Sequence, residues 1–119
     1  VAVTFNTTID QGADWFLNFQ YKNPNNTPII LTNYTAALQI RTSPLAKTAV
    51  LTLTSPSNGI VITGNTGTIA VHATATQTAN ITNGKYAYDL EITAPAPDNT
   101  VTRLVQGTIE VSPQVTRTP

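Results

Sequence analysis

Residues 83–92 read Asn83-Gly84-Lys85-Tyr86-Ala87-Tyr88-Asp89-Leu90-Glu91-Ile92. Tyr86, Tyr88, Leu90 and Ile92 fall on one face, with Ala87, Asp89 and Glu91 on the other. That period of two belongs to a half-buried β-strand. The Asn83-Gly84 pair in front of it is a turn signal that launches the strand. A helix would scatter the same apolar residues around its circumference, so this stretch commits its part of the chain to a sheet with one dry face.

The same reading extends in both directions. Phe5, Thr7 and Ile9 share one face of a first strand, and Gln11-Gly12 bends the chain. Trp15, Leu17, Phe19 and Tyr21 then point one way, with Asn18, Gln20 and Lys22 opposite. Asn23-Pro24-Asn25-Asn26 is a turn; Ala36, Leu38 and Ile40 mark a third strand, closed by Ser43-Pro44. Leu51 with Leu53, Ile60 with Ile62, and Ile69 with Val71 mark three more short strands, separated by Gly/Pro/Asn turns. Between Ala73 and Ile81 the spacing of Ala75 and Ala79 suits one short helix or a coil crossing. A final strand covers about 101–111, with Val105, Gly107, Ile109 and Val111 on one side. Seven to eight such strands need a second sheet to cover their apolar faces, which predicts an all-β sandwich of antiparallel strands over 1–111. Two prolines in 112–119 predict an extended C-terminal tail.

Two segments resemble the immunoglobulin core. Gly12-Ala13-Asp14-Trp15-Phe16-Leu17-Asn18-Phe19 looks like the turn into strand B, and Asn83-Gly84-Lys85-Tyr86-Ala87-Tyr88 like the start of strand F. The resemblance places Phe19 and Tyr88 where antibody domains carry their paired cysteines. It makes Tyr86 the corner tyrosine, with its hydroxyl bonding back to the preceding loop. The sequence departs from the antibody pattern in having no cysteine and in carrying its tryptophan at Trp15 instead of on strand C. The expected core comprises Trp15, Leu17, Phe19, Leu38, Ile40, Ile69, Tyr86, Tyr88, Leu90 and Ile109.

The 119 residues fit one domain, and 40% hydrophobic residues suffice for one core. Only 10% are charged, against about a quarter in ordinary globular chains, and six basic residues balance six acidic ones. A free monomer usually keeps its net charge away from zero, so this surface points toward a chain bound to copies of itself or to neighbours. No basic patch suggests nucleic acid as a partner, and no apolar run suggests a membrane span. The chain opens on Val1, as processed numbering would, without a charged-then-apolar leader. With no cysteine, disulfides and thiolate metal sites are ruled out.

Catalysis needs a poised acid, base or nucleophile, and none stands out. His72, the only histidine, is opposite in phase to Ile69 and Val71 and reads as an outward strand residue. Asp89 and Glu91 share a polar strand face but lack an oxygen-rich calcium-type loop. Asp10 and Asp14 flank the Gly12 bend as turn or edge-blocking residues. No enzyme activity, cofactor or metal is therefore expected, and recognition falls to the surface. Phe16 points away from Phe19 and is either an exposed anchor for a neighbour or a lid under a loop. The tail, with Val115 and Arg117, either adds to a partner's sheet edge or is disordered. Tyr34 with Asn33 is the aromatic–amide pair that a carbohydrate-binding adhesin would use.

Several short motifs, in order and at characteristic spacing, carry a second resemblance. They are Thr8-Ile9-Asp10-Gln11-Gly12-Ala13, Leu31-Thr32-Asn33-Tyr34-Thr35-Ala36 followed by Leu38-Gln39-Ile40-Arg41, Gly59-Ile60 with Gly67-Thr68-Ile69, Ala73-Thr74-Ala75-Thr76, Tyr88-Asp89-Leu90-Glu91, and Gln106-Gly107-Thr108-Ile109 with Val111-Ser112-Pro113. Over nearly its full length the chain resembles small virion structural proteins of tailed bacteriophages and prophages, similar to tail collar or baseplate-associated ring proteins. The resemblance implies an immunoglobulin-like subunit located in the virion, at the tail or baseplate. Its implied partners are copies of itself in a ring and other virion proteins. Capsid decoration and host-surface carbohydrate binding remain the alternative functions.

Overall fold

A computed structural model describes residues 3–55 and 58–115. Nine strands form two sheets: β1 (Val3–Thr4), β2 (Thr7–Asp10), β3 (Trp15–Gln20), β4 (Thr35–Arg41), β5 (Leu51–Thr54), β6 (Ile60–Thr63), β7 (Thr68–Ala73), β8 (Gly84–Thr93) and β9 (Val101–Ser112). The larger sheet runs β1-β9-β8-β4-β5, with β2 also on β9; the smaller runs β3-β7-β6. In immunoglobulin sandwiches strands B, E and D face G, F and C, and the variable type adds C′. Here β3, β7 and β6 take the places of B, E and D, while β9, β8, β4 and β5 take those of G, F, C and C′. The fold is an immunoglobulin-like β-sandwich. Pairing is antiparallel except at β1 and β2, which run parallel to β9.

The alternation in 83–92 is reproduced residue by residue: Tyr86, Tyr88, Leu90 and Ile92 are buried, and the residues between them face outward. They meet Leu38 and Ile40 of β4, Ile109 of β9, and Trp15, Leu17, Ile69 and Val71 from the opposite sheet. Fully burying one such aliphatic side chain stabilises the fold by about 1.5–3 kcal/mol. This interlayer, continuous across the β3/β7/β6 sheet, is therefore the main source of stability. Phe19 is the one expected core residue left half-buried. It packs from the margin, edge-on to Phe5 with ring centroids 6.3 Å apart.

Two tyrosines lock the strand that opens the reading. The Tyr86 hydroxyl donates to the carbonyl of Thr82 just upstream, the corner bond expected of strand F. The Tyr88 hydroxyl donates to the Phe5 carbonyl at 2.6 Å. Gly107 lies opposite Tyr88 across the β8/β9 ladder, and a Cβ there would run into the Phe5 carbonyl and Asn6 Oδ1. A side-chain-free position on β9 thus lets the chain between β1 and β2 pass close against it. Burial pushes the Tyr88 phenol up from its ordinary 10 to about 12.

The ambiguous segment after β7 is a short helix, α1 (Ala75–Ala79). Thr74 and Gln77 close it with a capping box, each side chain bonded to the other's backbone. Thr78 of this helix is the only buried polar residue among those described. Its Oγ1 accepts from the Gly12 N–H at 3.0 Å and donates to the Ala13 carbonyl at 2.8 Å. The helix thereby pins the bend that feeds β3. The last strand continues to Ser112, one residue beyond the expected boundary, because Asp10 of β2 pairs with it. The Gln114 N–H then donates to Gln11 Oε1 at 3.0 Å, which holds the start of the tail against the first bend.

Candidate assembly surface

The two sheets divide the charged residues unequally. The outer side of the larger sheet carries Arg41, Lys85, Asp89, Glu91, Arg103 and Glu110. No Asp, Glu, Lys or Arg occurs on β3, β6 or β7. Period-two alternation places Phe16, Asn18 and Gln20 of β3, Val61 and Thr63 of β6, and Thr68, Ala70 and His72 of β7 on the outer face of that smaller sheet. Phe16 is 63% exposed and Val61 56% exposed. The result is a neutral surface of aromatic, aliphatic and amide groups. Such a surface keeps little hydration at its centre and loses little when covered.

At one end of this face an aromatic pair forms. Phe16 and His72 are opposite each other in the β3/β7 ladder. Their rings stack with centroids 4.4 Å apart and planes 5° from parallel. His72 Nε2 is shielded from solvent and has no hydrogen-bond partner; Asp14 Oδ1, at 3.6 Å, is its nearest acid. The same Asp14 oxygen accepts the Ala75 N–H at 2.7 Å, at the first turn of α1. Asp14 therefore holds the helix start, a contact spanning 61 positions that neighbouring sequence does not signal.

The outer side of the larger sheet is a different chemical surface. A groove of about 500 Å³ is lined by Gln39, Arg41, Asp89, Arg103, Gln106 and Thr108, among others. Its ionic groups are engaged with one another or with the backbone. Asp89 pairs with Arg103 at 3.3 Å, and Arg41 donates to Gln39 Oε1 at 2.6 Å and to the Ala46 carbonyl at 3.0 Å. Asp89 and Glu91 do not converge on a third acid, and no group of three or more His, Asp or Glu side chains gathers among the described residues. No described helix is long and apolar enough to cross a membrane.

The residues singled out from the sequence are scattered. Phe16 stands open on the uncharged face, the alternative of a lid under a loop being set aside by its exposure. Asn33 occupies a left-handed turn position (φ 65°), and Tyr34 beside it is half-buried with its ring against the core. Val115 is 90% exposed, and Arg117 lies outside the described residues. Phe16, the Asn33–Tyr34 turn and Val115 are not gathered into one site. Sequence reasoning missed His72 as the partner of Phe16, although the outward phase of both residues was visible.

No family model matches the chain, and no curated protein matches it.

Proposed function

We propose that the chain is a structural subunit of a tailed-bacteriophage particle, placed in the tail or baseplate region, that works by packing against copies of itself and other virion proteins. The observation that carries this reading is the uncharged β3/β7/β6 face with Phe16 and Val61 exposed on it. Isolated soluble domains intersperse charges over such faces. A face left neutral and partly apolar is suited to burial between rigid subunits, with the aromatic as an anchor and the amides bonding at the rim. The virion setting comes from the ordered motifs quoted above. The mechanism is geometric: a stiff sandwich presents fixed faces and edges, and repetition around a symmetry axis builds the larger body.

The reading carries no catalysis. Asp89 and Arg103 on the larger sheet are paired with each other, and His72 is stacked under Phe16. Capsid decoration makes the same demand on the same surface, so location separates the two. The test is labelling of intact particles produced from the genome that encodes the chain. Label at the tail or baseplate in several copies per particle supports the proposal. Label over the capsid transfers it to decoration, and purified particles without the chain refute both.

A further inference from the structure

Antiparallel pairing with β7 uses only every second residue of β3. The Tyr21 N–H donates to the Gly67 carbonyl at 2.8 Å, so the mutually bonded pairs recur at Phe19–Ile69, Leu17–Val71 and Trp15–Ala73. The intervening residues of β7 turn toward β6 instead, as the His72 N–H does in donating to the Gly59 carbonyl at 2.7 Å. The backbone N–H and C=O groups of Phe16, Asn18 and Gln20 therefore point out of the sheet, and no described strand pairs with them. Edge strands are ordinarily blunted by lysine, proline or a bulge. This one has no lysine or proline and pairs without a register shift. Beside it, between the sheets, runs a groove of about 470 Å³ whose apolar lining includes Val3, Phe5, Leu17, Phe19, Tyr21 and Leu104.

We infer that this edge is a strand-addition site and that its occupant is β3 of a second copy, antiparallel about a two-fold axis at Asn18. The register follows from the free groups. Centring on Asn18 sets Phe16 of each copy opposite Gln20 of the other and Asn18 opposite itself, so all three free positions on each edge are paired at once. The same register sets Leu17 of each copy opposite Phe19 of the other, both turned toward the apolar grooves. A two-fold axis brings residues near it against their own copies, which on a charged strand sets like charges face to face. On β3 there is no charge to repel. The product is a continuous sheet β6-β7-β3-β3-β7-β6 whose strands carry no Asp, Glu, Lys or Arg. This inference deepens the assembly reading and rests on it for the expectation that copies of the chain meet.

The test uses the full chain at several dilutions, with mass by sedimentation and residue-resolved amide hydrogen exchange. The wild type forms dimers, and the amides of Phe16, Asn18 and Gln20 slow by about tenfold or more between the dilute and concentrated protein, as pairing requires. Asn18→Pro removes a donor that the isolated sandwich does not use, and Asn18→Lys places two lysines on the axis; each retains its unfolding transition and weakens the dimer by about tenfold or more. Should the proline variant fail to fold, the lysine variant carries the result. Asn18→Cys supplies a sole cysteine, which under mild oxidation forms a disulfide across the axis, since bonded antiparallel residues lie about 5.5 Å apart at Cα. A dimer in which the three amides stay fast, or one that survives Asn18→Lys, overturns the pairing while leaving assembly through another surface. A wild type that stays monomeric at every concentration also overturns it, and the location of the chain in particles then decides the assembly reading separately.

Discussion

The ring of Phe16 lies flat on the imidazole of His72, 4.4 Å between centroids, on a sheet whose strands carry no Asp, Glu, Lys or Arg. A phenylalanine held in one orientation by a stacked neighbour loses little side-chain entropy when a partner covers it. That is the property of a binding anchor rather than of a core residue. Because Phe16 is 63% exposed, Phe16→Ala leaves the sandwich within about 0.5 kcal/mol of wild-type stability while reducing self-association or particle incorporation at least about fivefold. Paired thermal unfolding and sedimentation measurements separate the two effects.

Tyr86→Phe removes the hydroxyl that bonds the Thr82 carbonyl and leaves the ring in place. The loss of one largely buried hydrogen bond predicts about 1 kcal/mol of destabilisation. Urea unfolding reads it as a lower midpoint with an unchanged slope.

The Tyr88 phenol gives a pH prediction whose direction follows from its burial. Its value in the folded protein, about 12, lies above the ordinary 10 of an exposed tyrosine. The neutral form is thus favoured by folding. The associated stability is fully present below pH 10 and is lost as pH rises from 10 through 12, a loss on the order of 2 kcal/mol. Tyr88→Phe flattens this part of the stability–pH curve, at the cost of the bond to the Phe5 carbonyl. Denaturant titrations at pH 8 to 12 on both proteins check it.

Thr78→Val keeps the shape of the only buried polar side chain among the described residues but strands the Gly12 N–H and the Ala13 carbonyl. Unmet backbone groups at a partly covered bend predict a cost of about 1–3 kcal/mol. Hydrogen exchange on this variant is expected to rise first at Gly12, next to β3.

The sandwich itself was legible because its strands alternate so cleanly: β4, β8 and the second half of β9 each bury the residues that their phase assigns to the core. The corner at Tyr86 was legible from a local pattern, since its partner Thr82 lies only four positions away. What stayed hidden depends on chain separation. The Asp14–Ala75 bond, the stacking of Phe16 on His72 and the parallel pairing of β1 and β2 with β9 all join residues more than fifty positions apart. The phase of a strand says which side chains face out but not which strand lies beside it. Phe16 could therefore be read as outward, whereas the free edge of β3 emerged only with the sheet order. Asn33 and Tyr34 show the converse. An aromatic–amide pair is conspicuous in the sequence, yet Tyr34 is half-buried against the core.

The central claim is that the uncharged sheet is where this protein meets its neighbours. Comparing amide hydrogen exchange in the assembled and dissociated protein tests it most directly. The account predicts added protection along β3, β6 and β7, greatest around Phe16 and Asn18, with the outer positions of β8 and β9 unchanged. Protection confined to the charged sheet around Asp89 and Arg103, with β3 exchanging equally in both states, would contradict it.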